Sequence, residues 1–162
     1  MPDEPRIILG EYRRALDERC RLSVPAELLT LLPGAPADCV LVKERQGCLS
    51  LWDAARWRDR LETRLRLIEQ KVRAGMFAED RLGQVQLLGR LLSTRHRDVI
   101  LSGRGRLLIP EGFREFLGIE PGGDVLVVGA AVCIEIWRPE AWIHYVEQRM
   151  PKFQRLFERL SR

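Results

Sequence analysis

The sequence predicts an α+β protein made of two tandem β-β-α-β-β half-domains that are related by a pseudo-twofold axis. When the sequence is slid on itself by 85 positions, residues 21–25 (RLSVP) fall on residues 106–110 (RLLIP). The same shift places residues 48–52 (CLSLW) on residues 133–137 (CIEIW). A repeat of this length indicates a duplicated unit of about 50 residues, which is too small to bury a core comfortably by itself. We therefore expect the two copies to pack face to face as one domain.

Within each copy, apolar runs and turn residues predict the order of the elements. Pro25 and Pro110 stand where a strand ends and a helix begins, because proline is tolerated in the first turn of a helix. Gly47 separates two β-rich runs at hairpin spacing. The expected strands of the two copies are 12–16, 21–24, 39–43 and 48–52, then 99–101, 106–109, 124–128 and 132–137, with helices at 26–32 and 111–117.

Apolar residues at helical spacing predict amphipathic helices between the copies and after them. One stripe runs from Trp57 to Val72, a second from Leu82 to Leu92, and a helix begins at Pro139 and ends near Arg149. Such stripes are typical of core or subunit packing. The expected organisation is a first half at 5–57, a helical connector at 58–93, a second half at 94–149 and a C-terminal amphipathic helix at 150–162.

Composition and motifs argue against catalysis, metal binding and membrane insertion. The longest uninterrupted apolar run is the four residues 125–128, far below the roughly 20 that span a bilayer. The chain has 2 histidines and 4 cysteines, without the spacing of a zinc site or a catalytic triad. Neither a dinucleotide-binding nor a phosphate-binding glycine loop occurs. We expect a soluble cytoplasmic protein with reduced thiols that is not an enzyme and has no catalytic residue, metal or cofactor.

Arginine carries almost all of the positive charge, and it is concentrated around the repeated turns. Residues 90–114 contain six arginines and two acidic residues, whereas the whole chain has a net charge of only +4. Each repeat carries one arginine at the tip of a tight turn and another at its exit. A β-ribbon of this size fits the major groove of DNA, where a guanidinium reads guanine O6 and N7. The expected DNA-binding residues are Arg13, Arg14, Arg19, Arg21, Arg97, Arg104 and Arg106.

The two turns and the segments around them resemble the MraZ family, bacterial transcriptional regulators of the AbrB/SpoVT swapped-hairpin superfamily. That family repeats a motif Asp-x-x-Gly-Arg followed by an apolar triplet, which is similar to residues 17–25 (DERCRLSVP) and 102–110 (SGRGRLLIP). The segment 49–52 (LSLW), followed by Trp57, and the run 90–92 (RLL) also fit the family pattern.

The resemblance implies a pseudo-twofold AbrB/SpoVT-like β-barrel core with flanking helices. It also implies a cytoplasmic, nucleoid-associated protein that binds double-stranded DNA. Such a protein would assemble into a closed homo-oligomeric ring on short repeated promoter boxes of the division and cell-wall gene cluster. Arg21 and Arg106 match the arginine of the motif, and Arg19 matches the basic residue common at its third position.

Two residues depart from the family motif. Cys20 stands where the family has glycine, and a left-handed backbone there would cost about 1–2 kcal/mol. Ser102 stands where the family has aspartate and is expected to hydrogen-bond the turn more weakly. An exposed Cys20 thiol between two arginines would have a lowered pKa. The departures keep a second function open, a ring-forming or antitoxin-like scaffold that binds a partner and whose turns no longer read bases.

Overall fold

Eight strands and six α-helices form the part of the chain that the computed structural model describes, residues 6–162. The predicted first half begins at residue 5, which lies outside the described residues. The strands are β1 (Glu11–Ala15), β2 (Arg21–Ser23), β3 (Cys39–Arg45), β4 (Cys48–Asp53), β5 (His96–Val99), β6 (Arg106–Leu108), β7 (Asp124–Gly129) and β8 (Ile134–Trp137). The helices are α1 (Ala26–Leu29), α2 (Ala54–Arg73), α3 (Glu79–Arg95), α4 (Glu111–Leu117), α5 (Pro139–Arg149) and α6 (Phe153–Leu160), with one 3₁₀ turn at Met150–Lys152.

The two repeats exchange their first strands. The main sheet is antiparallel and has the order β1-β7-β8-β4-β3-β5, so β1 of the first repeat pairs with the second repeat and β5 of the second pairs with the first. At its centre Ser50 lies opposite Glu135, its counterpart 85 positions later. The pseudo-twofold axis therefore passes between β4 and β8, and the predicted mixed α+β fold of two repeated units is confirmed.

A two-stranded ribbon, β2 with β6, lies over one face of this sheet. Leu22 pairs with Leu107, again its counterpart at 85 positions, and both side chains are fully buried. They share one hydrophobic cluster with Leu49, Ile134 and Phe113, drawn from both repeats. Neither repeat closes this core alone, which is the physical reason for the duplication. The ladders do not by themselves close a barrel, and the predicted barrel stays a prediction.

Within the repeats, two predicted elements have a bound that differs from the structure by three residues. The strand expected at 99–101 is His96–Val99, because β3 begins at Cys39 opposite Val99 and offers no ladder partner beyond it. Leu101 donates its main-chain N–H to the carbonyl of Pro36 instead. The helix expected at 26–32 ends at Leu29, since the next turns tighten and the N–H of Leu32 bonds the carbonyl of Leu29.

The opposite face of the sheet is covered by the starts of α2 and α5. Asp53 caps α2 by accepting a hydrogen bond from the N–H of Ala55 at 3.1 Å, and Pro139 stands in the first turn of α5. Trp57 of α2 packs against Trp52, and Trp142 of α5 packs against Trp137. Beyond these starts, α2 and α3 leave large apolar side chains exposed. No helix in the part of the chain that the structure describes is long and apolar enough to cross a bilayer.

All four cysteines are buried free thiols. Burial raises the pKa of Cys39 to about 11 and that of Cys133 to about 12, and it also raises the pKa of Cys48. These three side chains therefore pack as small apolar groups. Residues 6–162 hold no group of three or more histidine, cysteine or acidic side chains placed to bind a metal ion.

Candidate nucleic-acid interface

The outer face of the ribbon brings the two exit arginines together. Because strand side chains alternate, Leu22 and Leu107 point into the core and their neighbours point outward. Arg21 lies opposite Leu108, and Arg106 is two residues before Leu108 on that strand, so the two arginines are diagonal neighbours at about 7–8 Å. The sequence predicted two separate tips, whereas the fold places both exit arginines on one ribbon across the pseudo-twofold axis.

The first turn is held by the carboxylate of Asp17. Its Oδ1 accepts hydrogen bonds from the main-chain N–H groups of Arg19 at 2.8 Å and Arg21 at 2.9 Å. Its Oδ2 accepts one from Nε of Arg21 at 2.8 Å. This side chain adds to two main-chain hydrogen bonds of the turn, from the N–H of Asp17 to the carbonyl of Arg21 at 3.1 Å and from the N–H of Cys20 to the carbonyl of Asp17 at 3.0 Å. It also holds the guanidinium that leaves the turn.

The hydrogen bond from the Arg21 main chain is the largest cause that holds the pKa of Asp17 below its usual value. A lowered folded-state pKa means that the stabilisation by Asp17 is fully present above the ordinary carboxyl pKa of about 4. It is lost only as the pH falls through the lowered value. The Asp17–Arg21 pair is therefore intact throughout the neutral range.

The second turn is held by its main chain. The N–H of Ser102 donates to the carbonyl of Arg106, and the N–H of Arg106 donates to the carbonyl of Ser102, both at 2.9 Å. Among the described residues the Ser102 hydroxyl makes no hydrogen bond to the turn, so that expectation is wrong. Gly103 and Gly105 have φ values of +53° and +89°. The exposed Arg106 guanidinium has no counterpart of the Asp17 pair in the described residues.

The cysteine at the glycine position has a left-handed backbone, with φ of +58° at Cys20. Its side chain is fully buried, so the condition of an exposed thiol is not met. Nη1 of Arg114 donates a hydrogen bond to its Sγ at 3.4 Å. The residue equivalent to Cys20 in the second repeat is Gly105, and the residue equivalent to Arg114 in the first repeat is Leu29, each 85 positions away. Gly105 and Leu29 are likewise neighbours. The repeat has thus exchanged a Gly–Leu contact for a Cys–Arg contact.

The arginines of the strand arms lie on two different faces of the sheet. Arg14 is opposite Val125 and Arg97 opposite Leu41, which places both on the ribbon side. Arg13 is opposite Leu126, on the face that α5 covers, and pairs with Asp124 at 2.8 Å. The fold therefore separates Arg13 from the ribbon arginines.

The remaining predicted residues are the tip arginines, Arg19 and Arg104. Both are exposed, in turns that lie at opposite ends of the antiparallel ribbon. Sequence reasoning missed Lys43, which lies on the ribbon side of β3 with its ammonium 5.0 Å from the centre of the Phe113 ring. Arg97 stacks on the same ring at 5.9 Å. The sequence does hold a signal for Lys43. It comes two residues after the apolar Leu41 in a strand whose side chains alternate between faces, so both lie on the ribbon side.

Comparison with known proteins gives one consistent result. Residues 7–77 and 95–162 match the family described as "MraZ protein" and as antitoxin-like. A Heliobacterium modesticaldum protein named "Transcriptional regulator MraZ" is 29% identical over 154 residues, which is 95% of this chain and 96% of its own length. A Clostridium beijerinckii protein with the same name is 30% identical, over 96% of this chain and 97% of its own length. A Thermus thermophilus protein with that name is 28% identical, over 88% of this chain and 90% of its own length.

Proposed function

Because the chain belongs to the MraZ family, we propose that it is a DNA-binding transcriptional regulator that reads base sequence with Arg21 and Arg106. One observation carries this proposal: the two arginines lie diagonally on one exposed face of a two-stranded ribbon, across the pseudo-twofold axis. A two-stranded ribbon enters the major groove, and each guanidinium matches the O6 and N7 acceptors of a guanine.

The other basic residues on the ribbon side supply contacts to phosphate. Such contacts give affinity and register without sequence information. We assign this role to Arg14, Arg19, Arg97 and Arg104, and we add Lys43 because it shares the Phe113 ring with Arg97. Arg13 is held by Asp124 on the other face and is proposed only as an outlying phosphate contact.

We further propose that the protein acts as a homo-oligomer, with the ring assembly on repeated promoter boxes that the family resemblance implies. Exposed apolar side chains on α2, α3 and α6 support self-association, because large exposed apolar patches mark protein interfaces. The hydrophobic cluster shared by the sheet and the ribbon supports a single barrel-like core. Promoter binding would place the protein in the cytoplasm at the nucleoid.

Replacing Arg106 by alanine is expected to weaken binding to the specific site by about 1–3 kcal/mol and to relax base preference, because a bidentate contact is lost. The measurement is a gel-shift titration against promoter and random duplexes. Arg106→Lys keeps the charge without the planar fork, so it should lose sequence preference while keeping binding to random DNA. Arg97→Ala should weaken both duplexes equally. Equal preference in wild type and Arg106→Ala would contradict the proposal.

A second candidate function is a partner-binding scaffold of the antitoxin-like kind. It is favoured by the apolar stripe of α6, where Phe157 is 64% exposed. The dependence of binding on salt separates the two functions, because a DNA reader releases counterions and its log affinity falls steeply with log salt concentration. A flat dependence together with tight assembly would favour the scaffold.

Deleting the residues after Pro151 is expected to lower the mass of the oligomer or its solubility. The reason is that this deletion removes the stripe Phe153, Leu156, Phe157 and Leu160, whose side chains are all exposed in the single chain. Light scattering measures the mass. Arg155→Ala, on the same helix, leaves the apolar stripe in place and should leave the mass unchanged. A truncated protein of wild-type subunit number would exclude the tail from assembly.

A further inference from the structure

The two ribbon arginines are held differently, and we propose that this makes the two halves of the DNA site unequal in base stringency. Asp17 is the positioning residue that makes Arg21 a stringent reader, whereas Ser102 leaves Arg106 adaptable. This inference rests on the proposed DNA-binding function and concerns the same ribbon. It predicts an asymmetric target sequence in spite of the internal twofold symmetry of the protein.

Asp17 orients the Arg21 guanidinium before DNA arrives. Nε of Arg21 is anchored on Oδ2 at 2.8 Å, while Oδ1 holds the main chain of the same residue at 2.9 Å. Among the described residues no hydrogen bond uses the two Nη groups of Arg21, whose side chain is 35% exposed, so their donors remain available to an outside acceptor. The side chain is ordered on folding rather than on binding, which reduces the entropy lost in the complex.

Anchoring also raises discrimination between bases. Specificity is the difference between the affinities for the correct and the incorrect site. A free arginine that meets the wrong base can turn to a phosphate oxygen and recover part of the lost interaction. An arginine tied to Asp17 lacks that alternative, so a wrong base leaves its donors unpaired.

The second half lacks the carboxylate that anchors the guanidinium. The main chain of Arg106 is bonded to Ser102, but its exposed side chain has no ion pair among the described residues, and the turn contains two glycines with positive φ. A Cβ on Gly103 would meet nothing within 4 Å, so no neighbour packs against the tip of this turn. Arg106 makes no salt bridge among the described residues, and it should therefore contribute more than Arg21 to the salt dependence of non-specific binding.

The test is a selection of bound duplexes from a randomised library with full-length wild type and two variants. Asp17→Asn keeps an Oδ1 acceptor for the main-chain N–H groups but removes the partner of the guanidinium. Ser102→Asp gives the second turn the carboxylate that the first one has. Ser93→Asp adds the same charge on the exposed surface of α3 and is the matched control. Thermal unfolding followed by circular dichroism verifies the fold of each variant.

We expect wild type to select one half-site with a guanine preference of about fiftyfold or more and another with a preference of about fivefold, the upper and lower parts of the range for a bidentate contact. Asp17→Asn should lower the strong preference and leave the weak one unchanged, and Ser102→Asp should raise the weak one. Two equally stringent half-sites in wild type would overturn the inference while leaving the proposed function intact. A Ser102→Asp variant that changes the base preference at neither half-site would also overturn the inference. If Asp17→Asn does not fold, the selection with Ser102→Asp decides the question. Failure of wild type to enrich any sequence would overturn both.

Discussion

Leu107→Ala is expected to lower the free energy of unfolding by about 2–5 kcal/mol, the range for large-to-small substitutions in a well-packed core. Leu107 is fully buried and lies opposite Leu22 on the pseudo-twofold axis, where it joins the ribbon to the sheet. The cavity would open between the two layers, which have no main-chain ladder between them to limit the loss. Chemical denaturation followed by circular dichroism measures the change.

Leu108→Ala is the matched control for this experiment. Leu108 is the next residue of β6 and is 59% exposed on the outer face. The same chemical change there should alter the free energy of unfolding by no more than about 0.5 kcal/mol. Similar losses for the two variants would mean that the ribbon does not pack on the sheet as described.

Gly105→Ala is expected to cost about 2–4 kcal/mol, the sum of left-handed backbone strain and overpacking. Gly105 has φ of +89°, and a Cβ there would clash with Cδ1 of Leu29. The same denaturation experiment measures the loss. Because the clash is with the Leu29 side chain, Gly105→Ala should lower the free energy of unfolding less in a Leu29→Ala background than in the wild type. A double-mutant cycle measures this difference.

Gly103→Ala separates the two contributions. Gly103 also has a positive φ, +53°, but a Cβ on it would have no neighbour within 4 Å. Only the backbone strain remains, so the loss should be about 1–2 kcal/mol. Equal losses at both positions would show that the Leu29 contact adds nothing.

The comparison of Gly105 with Cys20 explains how one repeat tolerates a side chain at the glycine position. Both positions have left-handed backbone, but Arg114 takes the place of Leu29 beside Cys20 and bonds the thiol with Nη1. A long side chain with a polar end leaves room for Sγ where a leucine methyl group does not. The two halves have therefore diverged by paired changes, and the Asp17–Ser102 difference is a further asymmetry of the same ribbon.

The sequence by itself determined the duplication, the types of the elements, the family and the arginine turns. These features are local: the 85-residue offset, the alternation of a strand and the spacing of a helix can all be read along the chain. Two predictions failed. The end of the strand expected at 99–101 depended on a ladder with β3, and the helix expected at 26–32 ended early in a tightened local turn before Pro33.

The tertiary structure alone decided which arginines meet. Exchange of the first strands and pairing of β2 with β6 join residues 85 positions apart, and no local pattern specifies such a crossing. The register of a strand decides its faces, since a shift of one residue reverses them. For that reason Arg13 lies on the far face while Arg14 lies on the near one. Cys20 is likewise buried beside Arg114 from the other repeat, and the anchoring of Arg21 by Asp17 became visible only as three distances in space.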